Sequence, residues 1–321
     1  LERGVDGFRL DATRYLVEAG AGGGQADTPE THAALKAFAA HVRRVKPQAF
    51  VVGENWADTA VIATYYGSKT APGGDELPAS FNFPLSDLVL KAVSSGNAAP
   101  VAAKLEEVVR VYPAGAIDVP FLTNHDQVRL ATQLGRNAGR LRNAAAILLT
   151  LPGAPFLYYG EEVGLENGPT GGDESKRTPM PWDGSPGGGF TTGTPWFPFA
   201  PGRETANVAS QRADPSSLLS RYRSLIRARA SSEALRKGET VLVSRTDGVT
   251  PFLAFLRRSA GETVLVVHNL SDSFQSAGPF AVPGSSFERV FADPGAADPS
   301  GAPGSIRVYL PGRGTGLWRV R

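Results

Sequence analysis

The chain has 321 residues with a formal net charge of only +2, and its 41% hydrophobic and 20% charged residues are those of an ordinary globular protein. Its Lys and Arg residues are scattered without a run of five or six, which gives nucleic-acid binding no electrostatic support. No apolar stretch approaches the roughly 18 residues a membrane helix needs, and the absence of cysteine excludes disulfides, thiolate nucleophiles and Cys-based zinc sites.

The chain opens Leu-Glu-Arg-Gly-Val-Asp, with no initiator Met or signal-like segment, and is expected to begin inside a longer polypeptide. The first two-thirds alternates short apolar runs with helical patterns, as a β/α fold should. A strand over 5–10 leads into Asp11. After the Gly-rich stretch 20–24 comes a helix over 29–45, with Ala34, Leu35, Phe38 and Val42 on one face. The run 49–52 is a strand ending at Gly53-Glu54. A weaker strand is predicted over 81–85, then helices over 86–93 and 99–111. A strand over 117–122 ends at Thr123-Asn124-His125-Asp126, an apolar helix follows over 139–150, and a strand is predicted over 155–158.

From Leu165 to Asn207, Gly, Pro, Thr and aromatic residues dominate (Trp182, Phe190, Trp196, Phe197, Phe199), and a segment of this length without periodicity is usually a functional loop. A helix over 216–230 is predicted with its cap at Asp214, before Pro215. Beyond Ser231 the pattern becomes all-β, with strands over 239–244, 252–257, 263–269, 287–291, 305–309 and 316–320. The expected division is a catalytic part over 1–232 and an antiparallel β-sandwich over 233–321.

The polar clusters stand at the C-terminal ends of successive strands, where a (β/α)₈ barrel gathers catalytic groups. Asp11, Glu54 and Asp126 each stand at such an end. Retaining hydrolysis of a glycosidic bond needs a carboxylate nucleophile and a carboxylic acid about 5 Å apart, and a third carboxylate can hold sugar hydroxyls. Arg9 lies two residues before Asp11 and so shares its face of the strand, where a cation favours an ionised neighbour. His125 is a candidate donor to a sugar hydroxyl. Taken singly, each carboxylate reads equally well as a helix cap. His32 reads as a surface residue, and His41 and His268 as structural. Glu161 and Glu162 read as braces of the barrel rim.

Three segments carry a family resemblance. Gly7-Phe8-Arg9-Leu10-Asp11-Ala12 resembles the nucleophile motif of the alpha-amylase family (glycoside hydrolase family 13), Val51-Val52-Gly53-Glu54-Asn55-Trp56 its acid/base motif, and Phe121-Leu122-Thr123-Asn124-His125-Asp126 its last conserved segment. The likeness extends to Tyr158-Tyr159-Gly160-Glu161-Glu162. It also takes in Lys176-Arg177-Thr178-Pro179-Met180-Pro181-Trp182-Asp183, which is similar to a loop of amylases close to the oligo-1,6-glucosidases. The resemblance implies a TIM barrel entered at its fourth strand, followed by the family's C-terminal β-sandwich. By position it implies Asp11 as nucleophile, Glu54 as general acid and base, and Asp126 as the carboxylate that holds the distorted sugar. Arg9, Arg14, Asn124, His125 and Trp56 are the residues expected at substrate, and Trp182 and Trp196 are candidates for a sugar platform. The implied substrate is an alpha-1,4-linked glucan, with trehalose synthesis or another transglycosylation on the same scaffold as the alternative, and an inactive carbohydrate-binding or assembly subunit as a second.

Two departures accompany the likeness. The family's first conserved segment and first three strands are absent, so the chain is expected to be part of a longer enzyme, to meet a partner fragment, or to dimerise over its open edges. Where many members have Lys-His after the nucleophile, this chain has Arg14-Tyr15. Arg14 keeps the expected sugar contact, and the Tyr15 carbonyl is the position at which the resemblance admits a structural calcium, while the chemistry itself requires no cofactor. The expected location is secreted or periplasmic.

Overall fold

The computed structural model describes residues 1–244 and 246–321. The chain forms two compact units, one of Leu1–Ser86 with Lys104–Pro120, the other of Asp87–Ala103 with Phe121–Arg321.

The first unit is built on a parallel sheet. β1 (Gly7–Leu10), β2 (Phe50–Gly53), β3 (Ala79–Phe81) and β4 (Ile117–Val119) lie side by side in chain order. The connections are helical: α1 (Pro29–Val45) follows β1, α2 (Thr59–Thr64) follows β2, and α3 (Phe83–Ser95) and α4 (Ala99–Val111) follow β3, each of these last two divided between the two units. α1 starts where the sequence requires it. The Thr28 hydroxyl accepts from the Thr31 amide at 3.1 Å, Pro29 takes the first helical position and Glu30 the first turn, while Arg43 and Arg44 meet the carbonyl end. Period-2 alternation divides β1. Phe8 and Leu10 pack with Val51, Leu77 and the α1 residues Leu35, Phe38 and Val42, which leaves Arg9 and Asp11 on the other face. Each fully buried side chain of that cluster contributes roughly 1.5–3 kcal/mol.

In the second unit α5 (Leu130–Gln133) and α6 (Ala138–Thr150) precede a long irregular segment, then α7 (Val208–Arg212), α8 (Leu218–Ala230) and α9 (Glu233–Lys237). α6 packs on α8 through Ala145, Ala146, Leu149, Tyr222 and Leu225. The remainder is antiparallel: β5 (Glu239–Leu242), β6 (Phe252–Arg258), β7 (Thr263–Asn269), β8 (Gln275–Phe280), β9 (Phe287–Ala292), β10 (Ile306–Leu310) and β11 (Thr315–Val320). They form a five-stranded sheet in the order β5-β6-β7-β11-β9 and a β10-β8 pair. One apolar core joins both sheets, centred on Leu256, Leu265, Phe280, Ile306, Val308 and Trp318. The fully buried Trp318 indole still finds a partner in Asp298, 2.9 Å away.

Several expectations need correction. The strand predicted over 81–85 ends at Phe81, and Phe83 already begins α3, with Pro84 in its first turn where no amide donor is needed. The strand predicted to reach Leu122 stops at Val119, before Pro120. Residues 155–158 form no strand, because an apolar run becomes one only with a ladder partner, and among the described residues it has none. The cap of α8 is Ser217, whose hydroxyl accepts from Ser220, while Asp214 instead closes the preceding turn onto Ser216. β8 escaped the pattern because Gln275, Ser276 and Gly278 dilute its alternation. His32 is no free surface residue: its Nδ1 lies 2.8 Å from the buried Glu76 carboxylate and its ring 4.7 Å from that of Tyr65. Parallel α/β and antiparallel layers are thus both present, and among the described residues the parallel strands are β1 to β4.

Candidate active site

β1 and β2 pair in parallel with Leu10 opposite Gly53, so Asp11 and Glu54 leave neighbouring strands at the same level. The Glu54 amide donates to the Leu10 carbonyl (2.9 Å) and the Thr13 amide to the Glu54 carbonyl (3.1 Å), which carries the pairing past the strand ends. Arg9 binds both carboxylates: one guanidinium nitrogen meets Asp11 Oδ1, and Nη2 lies 3.0 Å from Glu54 Oε2. The Asp11 side chain is largely exposed, whereas Glu54 is buried.

The turn after Asp11 is bent to serve the same group. Ala12 adopts a left-handed conformation (φ 43°), which costs a residue with a Cβ on the order of 1 kcal/mol. That bend points its amide at Glu54 Oε2, 3.0 Å away. Two donors therefore converge on Oε2. The Thr13 hydroxyl contacts the Asn55 amide oxygen, and Asn55 Nδ2 donates to the Ser80 hydroxyl at 3.0 Å, which ties the loop after β1 to β2 and β3.

Arg14, expected at a sugar, gives Nε and Nη2 to the two oxygens of Asp27 (2.9 and 2.6 Å) and Nη1 to the Trp56 carbonyl (2.9 Å). This hydrogen bonding holds the Asp27 carboxyl below the usual carboxylate range. The Tyr65 hydroxyl also donates to Asp27, at 2.6 Å, and burial followed by that bond pushes its phenol up. Trp56 stacks on Phe83 at 4.6 Å between centroids and leaves about half its surface (49%) exposed.

In the second unit, the Asn124 side chain accepts from the Asp126 amide at 2.9 Å, fixing a tight turn that presents the carboxylate. Asp126 Oδ1 receives Arg177 Nη2 at 2.9 Å, and Oδ2 lies 3.2 Å from His125 Nε2. Arg177 Nε donates to the His125 carbonyl and Lys176 Nζ to that of Asp126, at 3.1 and 3.0 Å. Arg177 and Lys176 sit inside a quoted motif, yet no spacing rule assigns them to Asp126. Their loop is held by Tyr158 and Tyr159, whose hydroxyls donate to the Lys176 and Thr178 carbonyls at 2.9 and 2.6 Å. The buried Arg129 guanidinium lies 4.5 Å from both tyrosine rings, which meet each other edge-to-face, and so makes a cation–π contact with each. Glu161 is buried against the Thr123 hydroxyl, and burial pushes its carboxyl up to about 8.

Among the described residues no group of three or more acidic or histidine side chains gathers that could hold a metal ion. The structure thus groups Arg9, Asp11 and Glu54 in one unit, and Asn124, His125 and Asp126 in the other.

A parallel α/β sheet with two carboxylates beyond the C-terminal ends of neighbouring strands has them where α/β barrel enzymes gather their reacting groups. The chain belongs to the alpha-amylase family: residues 1–238 match the model of the alpha-amylase catalytic domain. It is similar to alpha-amylase 3 of Dictyoglomus thermophilum, 33% identical over 276 residues, which covers 84% of this chain and 51% of that one. It is also similar to the trehalose synthase/amylase TreS of Mycolicibacterium smegmatis, 30% identical over 317 residues, with 84% and 53% covered. Among solved structures, the alpha-amylase from H. orenii superposes with a TM-score of 0.80 at 28% identity, over 100% of this chain and 62% of that one. The chain spans about half the length of the curated relatives it matches.

Proposed function

We propose that the chain is the part of a retaining alpha-glucan hydrolase that carries the nucleophile and the acid/base, and that it acts on alpha-1,4-glucosidic bonds of starch or maltodextrin. The observation that supports this most is the sharing of Arg9 between Asp11 and Glu54. Neighbouring strands lie about 4.8 Å apart, and retaining glycosidases hold their two carboxyls about 5–5.5 Å apart. Residues 1–232 would then be a portion of a (β/α)₈ barrel and 233–321 its C-terminal sandwich.

In this reading the Asp11 carboxylate attacks the anomeric carbon while Glu54 passes its proton to the departing glycosidic oxygen. Glu54 Oε2 is occupied by the Ala12 amide and Arg9, so Oε1 is the oxygen that carries the proton. In the second half-reaction Glu54 takes a proton from water, the hydroxide attacks the same carbon, and Asp11 leaves. Asp126, held in the second unit by Arg177 and His125, is by the same reading a carboxylate that binds sugar hydroxyls.

Replacing Glu54 with Gln removes the proton and leaves the shape. The expected outcome is loss of at least a hundredfold in turnover of maltoheptaose, with maltose released from the unmodified chain as the alpha anomer by NMR. Unchanged turnover overturns the acid/base assignment, and a beta product overturns retention. The relative named trehalose synthase/amylase supports a second outcome of the same chemistry, in which a sugar hydroxyl replaces water. Formation of trehalose from maltose would establish that outcome in place of hydrolysis.

A further inference from the structure

The irregular segment between α6 and α7 carries aromatic side chains that the reaction above does not use. Trp182, Phe190 and Trp196 are 50%, 52% and 61% exposed. With Tyr159, Glu162 and Arg177 they border a recess of about 370 Å³, toward the small end of the roughly 300–1,000 Å³ typical of small-molecule sites. Scattered apolar residues on a surface are ordinary, but three large aromatic rings around one recess form the kind of patch that marks a binding surface. The recess is also held in shape. The Trp182 amide donates to Gly188 at 2.7 Å and its carbonyl accepts from Ala209 at 2.9 Å, while the Tyr159 hydroxyl fixes Thr178.

The chemistry of the lining selects the ligand. An anion would want an uncommitted cation, yet the Arg177 guanidinium is engaged by Asp126 and Asp173, and Glu162 adds negative charge beside it. Flat apolar faces with a few polar groups at the edge suit a neutral pyranose, which has an apolar C–H face and a rim of hydroxyls. Arg177 is at once a wall of the recess and the partner of Asp126, so one side chain separates the recess from the carboxylate read above as a sugar holder.

We propose that Trp182, Phe190 and Trp196 form an accessory subsite that stacks a glucose ring of a longer alpha-glucan, beyond the ring held by Asp126. The inference rests on the reading of Asp126 as a substrate-binding residue. It makes the loop a reader of chain length.

The test measures binding by calorimetry in the full chain carrying Glu54→Gln, with maltose and maltoheptaose as the probes. Trp196→Ala, at the most exposed of the three rings, is expected to weaken maltoheptaose binding about tenfold and maltose binding less than twofold. Trp196→Phe should restore most of the loss, because a flat ring is retained. Equal losses for both sugars, or none for maltoheptaose, overturn the subsite. Trp182→Ala is a second probe, and thermal melting of each variant reports whether the fold survives. Failure of the hydrolase reading shows separately, as full turnover by Glu54→Gln with the chain-length effect of Trp196 still present.

Discussion

Replacing Asp118 with Asn should make the protein more stable at neutral pH and nearly indifferent there to a titration that now weakens it. Asp118 lies on β4, in the sheet that carries Asp11 and Glu54, and is 5% exposed. Its two oxygens receive Asn82 Nδ2 at 3.0 and 3.1 Å. Burial nonetheless dominates and pushes the carboxyl up to about 7 from an ordinary 3.8. Each tenfold in proton affinity is worth about 1.4 kcal/mol, so the rise corresponds to about 4 kcal/mol of stability at stake. The sign follows from which state holds the proton. Below about pH 4 both folded and unfolded chains are protonated at this site and nothing is lost. Between 4 and 7 the unfolded chain releases the proton while the folded chain keeps it, so stability falls as pH rises, and it levels off above 7. Asparagine mimics the neutral acid at every pH. At pH 8 the variant should gain up to about 4 kcal/mol, less about 1 kcal/mol if its amide hydrogens find no acceptor. Urea unfolding of both chains at pH 5, 6, 7 and 8 measures this as a growing separation of midpoints at constant slope. A separation that does not change between pH 5 and pH 8 would refute the argument.

Acid should act through a different residue. His268 is fully buried between the Thr150 and Thr315 hydroxyls, each 3.0 Å away, and burial pushes it down to about 3. Its contribution is present above pH 6.5 and is lost as pH falls toward 3, about 3 kcal/mol by pH 4.5. Melting temperatures at pH 7 and 4.5 should therefore diverge less in His268→Gln than in the parent chain. Asp27→Asn should release the fork of Arg14 and lower kcat/KM severalfold in steady-state assays, while urea midpoints shift by less than about 1 kcal/mol, because the pair is partly exposed. Added methyl groups test the strand ends. A Cβ at Gly53 would meet the tip of Leu77 at 2.2 Å, and one at Gly7 would meet the Phe50 carbonyl oxygen at 1.8 Å. Gly53→Ala should cost about 1–3 kcal/mol by denaturation, and Gly7→Ala more, since a backbone atom yields less readily than a leucine tip.

Much of the parallel sheet was legible because its signals are local. α1 reads from the spacing of Ala34, Leu35, Phe38 and Val42, and α4 equally well from its apolar spacing. Segment 155–158 shows where that ends: its composition suits a strand, but strand character belongs to a pair of segments and not to one. β8 was missed for the converse reason. Gly278 and two polar residues hide its periodicity, and pairing with β10 supplies the ladder.

Residue type and position alone left Asp11, Glu54 and Asp126 no better than helix caps, and it was the three motifs that contain them which singled them out. What the sequence determined by itself is that Arg9 and Asp11 share a face, because a strand's alternation puts them there whatever surrounds them. Only the tertiary structure decided their partners: Arg9 divided between Asp11 and Glu54, Arg14 turned to Asp27, and Arg177 brought from fifty residues away to Asp126. A hydrogen bond is a matter of a few tenths of an ångström in space, and separation along the chain carries no information at that scale.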